Sequence, residues 1–290
     1  MGIFRRKAPA DKGMAQEQAI EAFWQWWTGE GARLTADAIA AGDPSHLVEP
    51  ISSRVKAVDD RLAWELGPGR VAQHVLVVSP EGDPDVRAVA RRWLRAAPEP
   101  ATDETWEYAD ARQRGTCDGS LAIGPHSIRF SEVVVGARRE GSHLDVSIHH
   151  PSFRDLPEQA RQQVTMLALD EAIGENDVET WLGGITPAVE APLDGFPLAQ
   201  LAPLVDGLAA EHRDESGEPT WVLLQGQGPR GRVIASAQVP LAATSAPELD
   251  RHVAVQVPFS DLTEDGLPGE GSLGALRLLE DHVAERLGTS

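Results

Sequence analysis

From His143 to His149 apolar and polar residues alternate, with Leu144, Val146 and Ile148 on one side and His143, Asp145, Ser147 and His149 on the other. A period of two predicts a strand. Pro151 ends it, because proline has no N–H to give to a ladder. Pro157 then suits the first position of a helix, and the pattern predicts that this helix runs to Ile173 and stops at Gly174. On a 100° wheel Met166, Leu169 and Ile173 share one face, while Val164, Leu167 and Ala168 lie nearly opposite. A helix apolar on two sides belongs between two layers, so the helix over 157–173 is expected at a junction between modules.

The same order of elements recurs. Residues 252–287 hold an alternating strand (Val253, Val255, Val257), then Pro258-Phe259, Leu267-Pro268 and a helix. Upstream, Thr105-Trp106 and Thr220-Trp221 each open a strand, and Gly82-Asp83-Pro84 and Gly195-Phe196-Pro197 each precede an apolar segment. The offsets are 109, 115 and 113 residues. Fixed order at nearly fixed spacing predicts an internal duplication.

The remaining pattern fills in the rest. Residues 14–28 read as a helix with Ile20, Phe23, Trp24 and Trp27 on one face, and 44–58 as another carrying Leu47, Ile51, Val55 and Val58. Residues 62–66 and 71–79 read as a hairpin around Gly67-Pro68-Gly69. Asp83 can cap a helix with Pro84 at its first position, and Val86, Val89, Ala90, Trp93, Leu94 and Ala97 form its stripe. Residues 126–137 and 142–149 read as a second hairpin, 220–226 and 232–239 as a third. A helix is expected from Pro203, and a last one over 271–287.

Composition narrows the function classes. The chain has 290 residues and a net charge of −19. That length predicts two domains, and that charge argues against nucleic acid, whose partners carry a basic face. No apolar run approaches the ~18 residues of a membrane span, and the basic start MGIFRRK leads into no apolar signal core. One cysteine, Cys117, excludes internal disulfides and fits a reducing cytoplasm.

Few residues suggest chemistry. Gly226-Gln227-Gly228-Pro229-Arg230-Gly231 matches the dinucleotide fingerprint, but the strand pattern RVIASAQV follows where a helix is required, so a hairpin turn is expected. His143 and His149 share a strand face yet lie about 20 Å apart, too far for one metal ion; His149-His150 has no zinc spacing. Cys117 has only Asp118 beside it and nothing to lower its pKa. Ser79 and Ser260 lack a nucleophile-elbow context. Asp170, Glu171, Glu175, Asp177 and Glu179 gather where the central helix ends, opposing its dipole; a hard cation on Asp170, Glu175 and Asp177 or arginine partners would account for them. The aromatic face of Phe23, Trp24 and Trp27 reads either as a partner surface or as core. A ligand site at the module junction would draw on Trp64, Trp106, Arg112, Arg114 and Glu175.

The segments VLVVSPEGDP, WEYADARQ, LDVSIHHPSF and LDEAIGENDVETWLGGI resemble uncharacterised bacterial proteins of a domain-of-unknown-function family, over about residues 60–290. The resemblance implies ferredoxin-like layering and brings no activity, cofactor or catalytic residue. The expected fold is α+β: an N-terminal tail and helices (1–60), then two tandem β-α-β-β-β-α modules (61–187 and 188–290). The expected function is a non-enzymatic cytoplasmic interaction or regulatory protein with a protein partner or self-association, with no cofactor, nucleic acid or membrane. The alternative is a small-ligand-binding protein or enzyme with its site at the module junction.

Overall fold

The computed structural model describes residues 9–98, 105–228, 231–247, 257–259, 261–264 and 266–287. The chain gathers into two compact units, one of residues 1–212 with 240–250 and the other of 213–239 with 251–290. Both contain helix and strand, as an α+β chain should.

The first unit opens on helices. α1 (Pro9–Trp26) continues through one π-helical turn, Trp27–Gly31, into α2 (Ala32–Ala41). The helix thus starts before residue 14 and extends well past 28. The π turn brings Gly31 against the Trp26 ring, where an added Cβ would lie 2.9 Å from the indole. α3 (Val48–Val58) follows a short 3-10 turn and buries Ile51, Val55 and Val58 at the expected spacing. β1 (Ala63–Pro68) and β2 (His74–Ser79) pair as an antiparallel hairpin. α4 (Pro84–Arg95) starts as its sequence dictates, with the Asp83 carboxylate accepting from the Asp85 amide at 2.9 Å. It crosses over to β3 (Trp106–Ala109), which lies parallel to β2. The sheet order is β1-β2-β3.

A small hairpin, β4 (Ser120–Ile123) with β5 (His126–Arg129), stands apart. The segment 126–137 is therefore not one strand: a 3-10 turn at Phe130–Glu132 separates β5 from β6 (Val134–Glu140). β6 pairs with β7 (His143–His149), whose Leu144, Val146 and Ile148 are buried. α5 (Glu158–Ile173) and α6 (Glu175–Trp181) cross over to β8 (Leu182–Ala188), parallel to β7. β9 (Phe196–Pro197) closes the order β8-β7-β6-β9, and α7 (Leu201–Glu211) takes Pro203 in its first turn.

The strands of residues 61–187 thus belong to three sheets rather than to one module sheet. The connectivity that recurs is a hairpin followed by a helical crossover to a parallel strand: β1-β2-α4-β3, then β6-β7-α5-α6-β8. It recurs 71 residues on, from Ala63 to Val134.

Each of these two sheets has its own apolar core. One joins α1 to α4 with β2, around Phe23, Trp24, Trp27, Trp93 and Trp106. The other joins β6 to β8 with α5, α6 and α7. Trp26 sits at the margin of the first core, half-buried, with the Arg54 guanidinium 4.2 Å above its ring.

In the second unit β10 (Trp221–Gly228) and β11 (Gly231–Gln238) form a hairpin in register from Trp221↔Gln238 to Gly228↔Gly231. The G-x-G-x-x-G run therefore turns a hairpin and opens no helix. α8 (Glu270–Leu287) is the last helix. Most of the strand expected at 252–258 lies outside the described residues.

Candidate functional site

Where α5 meets α6, Gly174 adopts φ +81°, ψ 152°, a conformation that L side chains rarely adopt. The turn sets Glu175 at the start of α6 with its carboxylate inside the protein, 3 % exposed. Four donors converge on that carboxylate. Oε2 accepts from Ser79 Oγ at 2.6 Å and from the Arg112 amide at 3.0 Å; Oε1 accepts from the Gly82 amide at 3.0 Å and from Arg87 Nη2 at 3.3 Å. The Glu175 amide in turn donates to the Arg112 carbonyl at 3.0 Å. One side chain thus ties α6 to the end of β2, to α4 and to the loop after β3. A buried carboxylate needs this many donors, because leaving it unpaired would cost several kcal/mol.

Three arginines answer the acidic cluster. Arg87, 2 % exposed, donates to Glu179 Oε2 at 2.7 Å and to Asn176 Oδ1 at 3.0 Å besides Glu175. Arg112 donates to Glu65 at 2.9 Å, Glu81 at 3.0 Å and Asp170 Oδ2 at 3.3 Å. Burial works to lower the pKa of its guanidinium, but the hydrogen bonds and charges of Glu65, Glu81 and Asp170 outweigh it and raise the pKa. Arg114 holds both oxygens of Asp206, at 3.1 and 2.9 Å, and Asp177 at 2.8 Å. The loop carrying Arg112 and Arg114 is sewn onto α5 by Glu171, whose carbonyl accepts from the Gly115 amide at 2.7 Å and whose carboxylate accepts from the Cys117 amide at 3.0 Å. Arginine partners account for the cluster as it stands. Among the described residues no group of three His, Cys, Asp or Glu could hold a metal ion, and Asp170, Glu175 and Asp177 each face an arginine instead.

Beside this joint lies a cleft of about 460 Å³, lined by Glu81, Arg112, Gln163, Asp170, Glu175 and Glu179 as its polar side chains. Met166, Leu167, Val178, Leu182 and Ile185 form its apolar side. Asp170 is 5 % exposed; its Oδ2 takes the Arg112 contact, and its Oδ1 has no hydrogen-bond partner. Burial pushes its pKa up to about 6, against the pull of Arg112 and with some help from the Glu175 charge.

Of the five residues proposed for a junction site, Arg112 and Glu175 meet at the cleft, and Arg114 lies on the outer side of the same loop. Trp64 and Trp106 do not join them. Trp64 packs against the N-terminal core and donates to Ser52 Oγ at 2.9 Å; Trp106 is buried edge-on to Trp27 and donates to the Ala32 carbonyl at 3.1 Å. Phe23, Trp24 and Trp27, with 0, 6 and 0 % exposure, lie mostly in the protein's own core; of the three only Trp24 reaches a surface pocket, beside Ile20 and Arg92. Trp24 donates to the Trp93 carbonyl at 2.9 Å and Trp27 to Tyr108 Oη at 3.0 Å. Cys117 is buried at φ +61°, and burial, then Glu171 and Asp118, raise its pKa; nothing there makes a thiolate. His150 Nδ1 accepts from the Ser152 amide at 3.1 Å and caps the turn after β7.

Sequence reasoning missed Arg87, Glu65, Glu81 and Asp206. A signal existed for Arg87: it stands three and seven residues before Ala90 and Leu94, on the apolar stripe of α4, where a charge needs a buried partner. No family model, curated protein or solved structure matches the chain. Among the described residues no helix is long and apolar enough to cross a membrane.

Proposed function

We propose that the protein is a non-enzymatic cytoplasmic binding protein that takes a small ligand in the cleft between α5, α6 and Arg112. The observation that carries this reading is a buried, half-partnered carboxylate, Asp170, among the residues lining a concave, half-apolar space. Ligand sites combine a mostly apolar lining with a few convergent polar groups. A binding role is supported by the ion pairs that already hold the lining's carboxylates, Glu81 and Asp170 with Arg112, and Glu175 and Glu179 with Arg87. The nearby Ser79 hydroxyl is buried, donates to Glu175 and accepts from the Glu81 amide at 2.8 Å, so it is committed to the fold. Occupancy of a cleft beside the joint between two cores gives a direct route to regulation. The family resemblance belongs to this proposal as well.

A second reading, a protein partner or self-association, rests on the hairpin β10–β11, where Trp221, Leu223, Leu224, Val233 and Ile234 are 40–63 % exposed. One thermal-shift screen against common metabolites separates the two, run with a sizing measurement. A ligand at about 100 times its Kd adds about 2.7 kcal/mol of stability. The expected result is a hit that disappears in Met166→Trp, which fills the cleft from a 39 % exposed position. A hit unaffected by that substitution, or no hit beside a concentration-dependent oligomer, overturns the cleft reading.

A further inference from the structure

We infer that the cleft selects a cationic ligand, a small amine with an apolar body, and that Asp170 is the group that receives its charged N–H; this rests on the cleft reading above. The choice of sign follows from counting what is already committed. Around the cleft and its rear wall stand five carboxylates, Glu65, Glu81, Asp170, Glu175 and Glu179, against two guanidiniums, Arg87 and Arg112. A carboxylate ligand would need a free arginine edge, but Nε, Nη1 and Nη2 of Arg112 already face Glu65, Asp170 and Glu81. Arg87 is not part of the lining; its two Nη atoms are on Glu175, Glu179 and Asn176, and its Nε, though without a partner, is buried. An anion would meet an excess of negative charge, with the Gln163 amide as a neutral donor and no unengaged nitrogen on Arg112, whereas an ammonium would meet a carboxylate oxygen with no partner. Asp170 Oδ1 is that oxygen, on a side chain 7 % exposed. The body of the ligand would lie along Met166, Leu167, Val178, Leu182 and Ile185, whose side of the cleft offers no charge to a second polar end.

The class follows: a primary alkylamine of a few carbons or an amine on a small ring, protonated at neutral pH. Diamines fit less well, because the second ammonium would lie on the apolar side.

Titration calorimetry of the full chain at pH 7.5 tests this with three probes of one body: n-hexylamine, hexanoate and n-hexanol. Hexylamine is expected to bind, more weakly as salt is raised, with the other two at least tenfold weaker. Asp170→Asn is expected to weaken hexylamine about 10- to 100-fold, the loss of a hydrogen bond between charged groups. Met166→Trp, which leaves every charge in place, is expected to abolish binding. It blocks the cleft by shape and so tests the same site independently of Asp170. Hexanol or hexanoate binding as tightly as hexylamine, with Met166→Trp still blocking, would sink the amine inference while leaving the cleft reading intact. Hexylamine binding that survives Met166→Trp would overturn the inference. Absence of binding by all three probes overturns the amine inference, and the metabolite screen then decides the cleft reading separately.

Discussion

A single oxygen, Asp170 Oδ1, sets the electrostatics of the joint. The carboxyl is buried, has one arginine contact and is pushed up to a pKa of about 6 from the usual 3.8. A raised acid pKa means that the folded state keeps a proton which the unfolded state has lost. The proton's contribution is therefore present in full below about pH 4, falls as pH rises towards 6, and is gone above it. Asp170→Asn keeps the shape and removes the titration. The variant should match the parent near pH 4 and exceed its stability by up to about 3 kcal/mol at pH 7.5. Urea unfolding at both pH values measures this, and an equal difference at both would remove the titration argument. Reading residues from the chain worked where one residue's neighbours in sequence decide its role. Asp83 before Pro84 is a cap by local geometry alone, and the acidic run at 170–179 announced a need for positive partners. It singled out Arg112 and Arg114 but not Arg87, and it paired none of them with a particular carboxylate. Arg87, Arg112 and Arg114 reach the run from 58 to 92 positions away, and no local pattern records which arginine a carboxylate will meet.

At the scale of elements, the sequence located α5, β7 and α4 almost to the residue: the hydrophobic period found β7 by its alternation and α4 by one strong stripe, while α5, apolar on two faces, was found by the proline and glycine at its borders. Pro157 itself stands just outside α5 as the N-cap with ψ 157°, and not as its first residue. The period was silent on α2, whose buried positions Thr35 and Ala38 are small and give no stripe. It also merged β5 with β6, since only a three-residue 3-10 turn parts them. The joint between α5 and α6 depends on Gly174 for two reasons that act together. Its φ of +81° with ψ of 152° is open to glycine, and a Cβ there would lie 3.2 Å from the Arg114 amide and 3.3 Å from the Arg112 carbonyl. Neither backbone atom can yield without moving the loop that holds Arg112. Gly174→Ala should therefore cost about 2–3 kcal/mol, towards the upper end of what such backbone strain costs. Gly42, at φ +75° with nothing within 4 Å of its Cβ position, should lose only about 1 kcal/mol to alanine. Chemical denaturation of the two variants side by side checks the difference, and equal losses would remove the role of the close contact.

On the scale of the first unit, two apolar cores meet across a charged seam, and that seam is where a small ligand would act. Apolar contacts between cores hold whatever the orientation, whereas hydrogen bonds to a buried carboxylate hold only at one. Glu175 makes the most contacts across the seam, alongside Arg87 and Arg112: it belongs to α6, and its oxygens accept from Ser79 at the end of β2, from Gly82, from Arg87 on α4 and from the Arg112 amide. Removing it leaves those donors without their acceptor and Arg87 with Glu179 as its remaining carboxylate, a loss on the order of 3–5 kcal/mol for a buried pair broken on one side. The loss falls on the seam and leaves the interior of each core intact. In the parent protein, amides of β2 and β7 should exchange with deuterium through a shared opening and so report similar protection. In Glu175→Ala the two strands should part company, one core opening at a free energy at least about 1 kcal/mol below the other, as separate cooperative units do. Hydrogen exchange followed by mass spectrometry reads both strands at once. If β2 and β7 lose protection equally in the variant, the cores are joined by their apolar packing, and the seam has no part in holding them together.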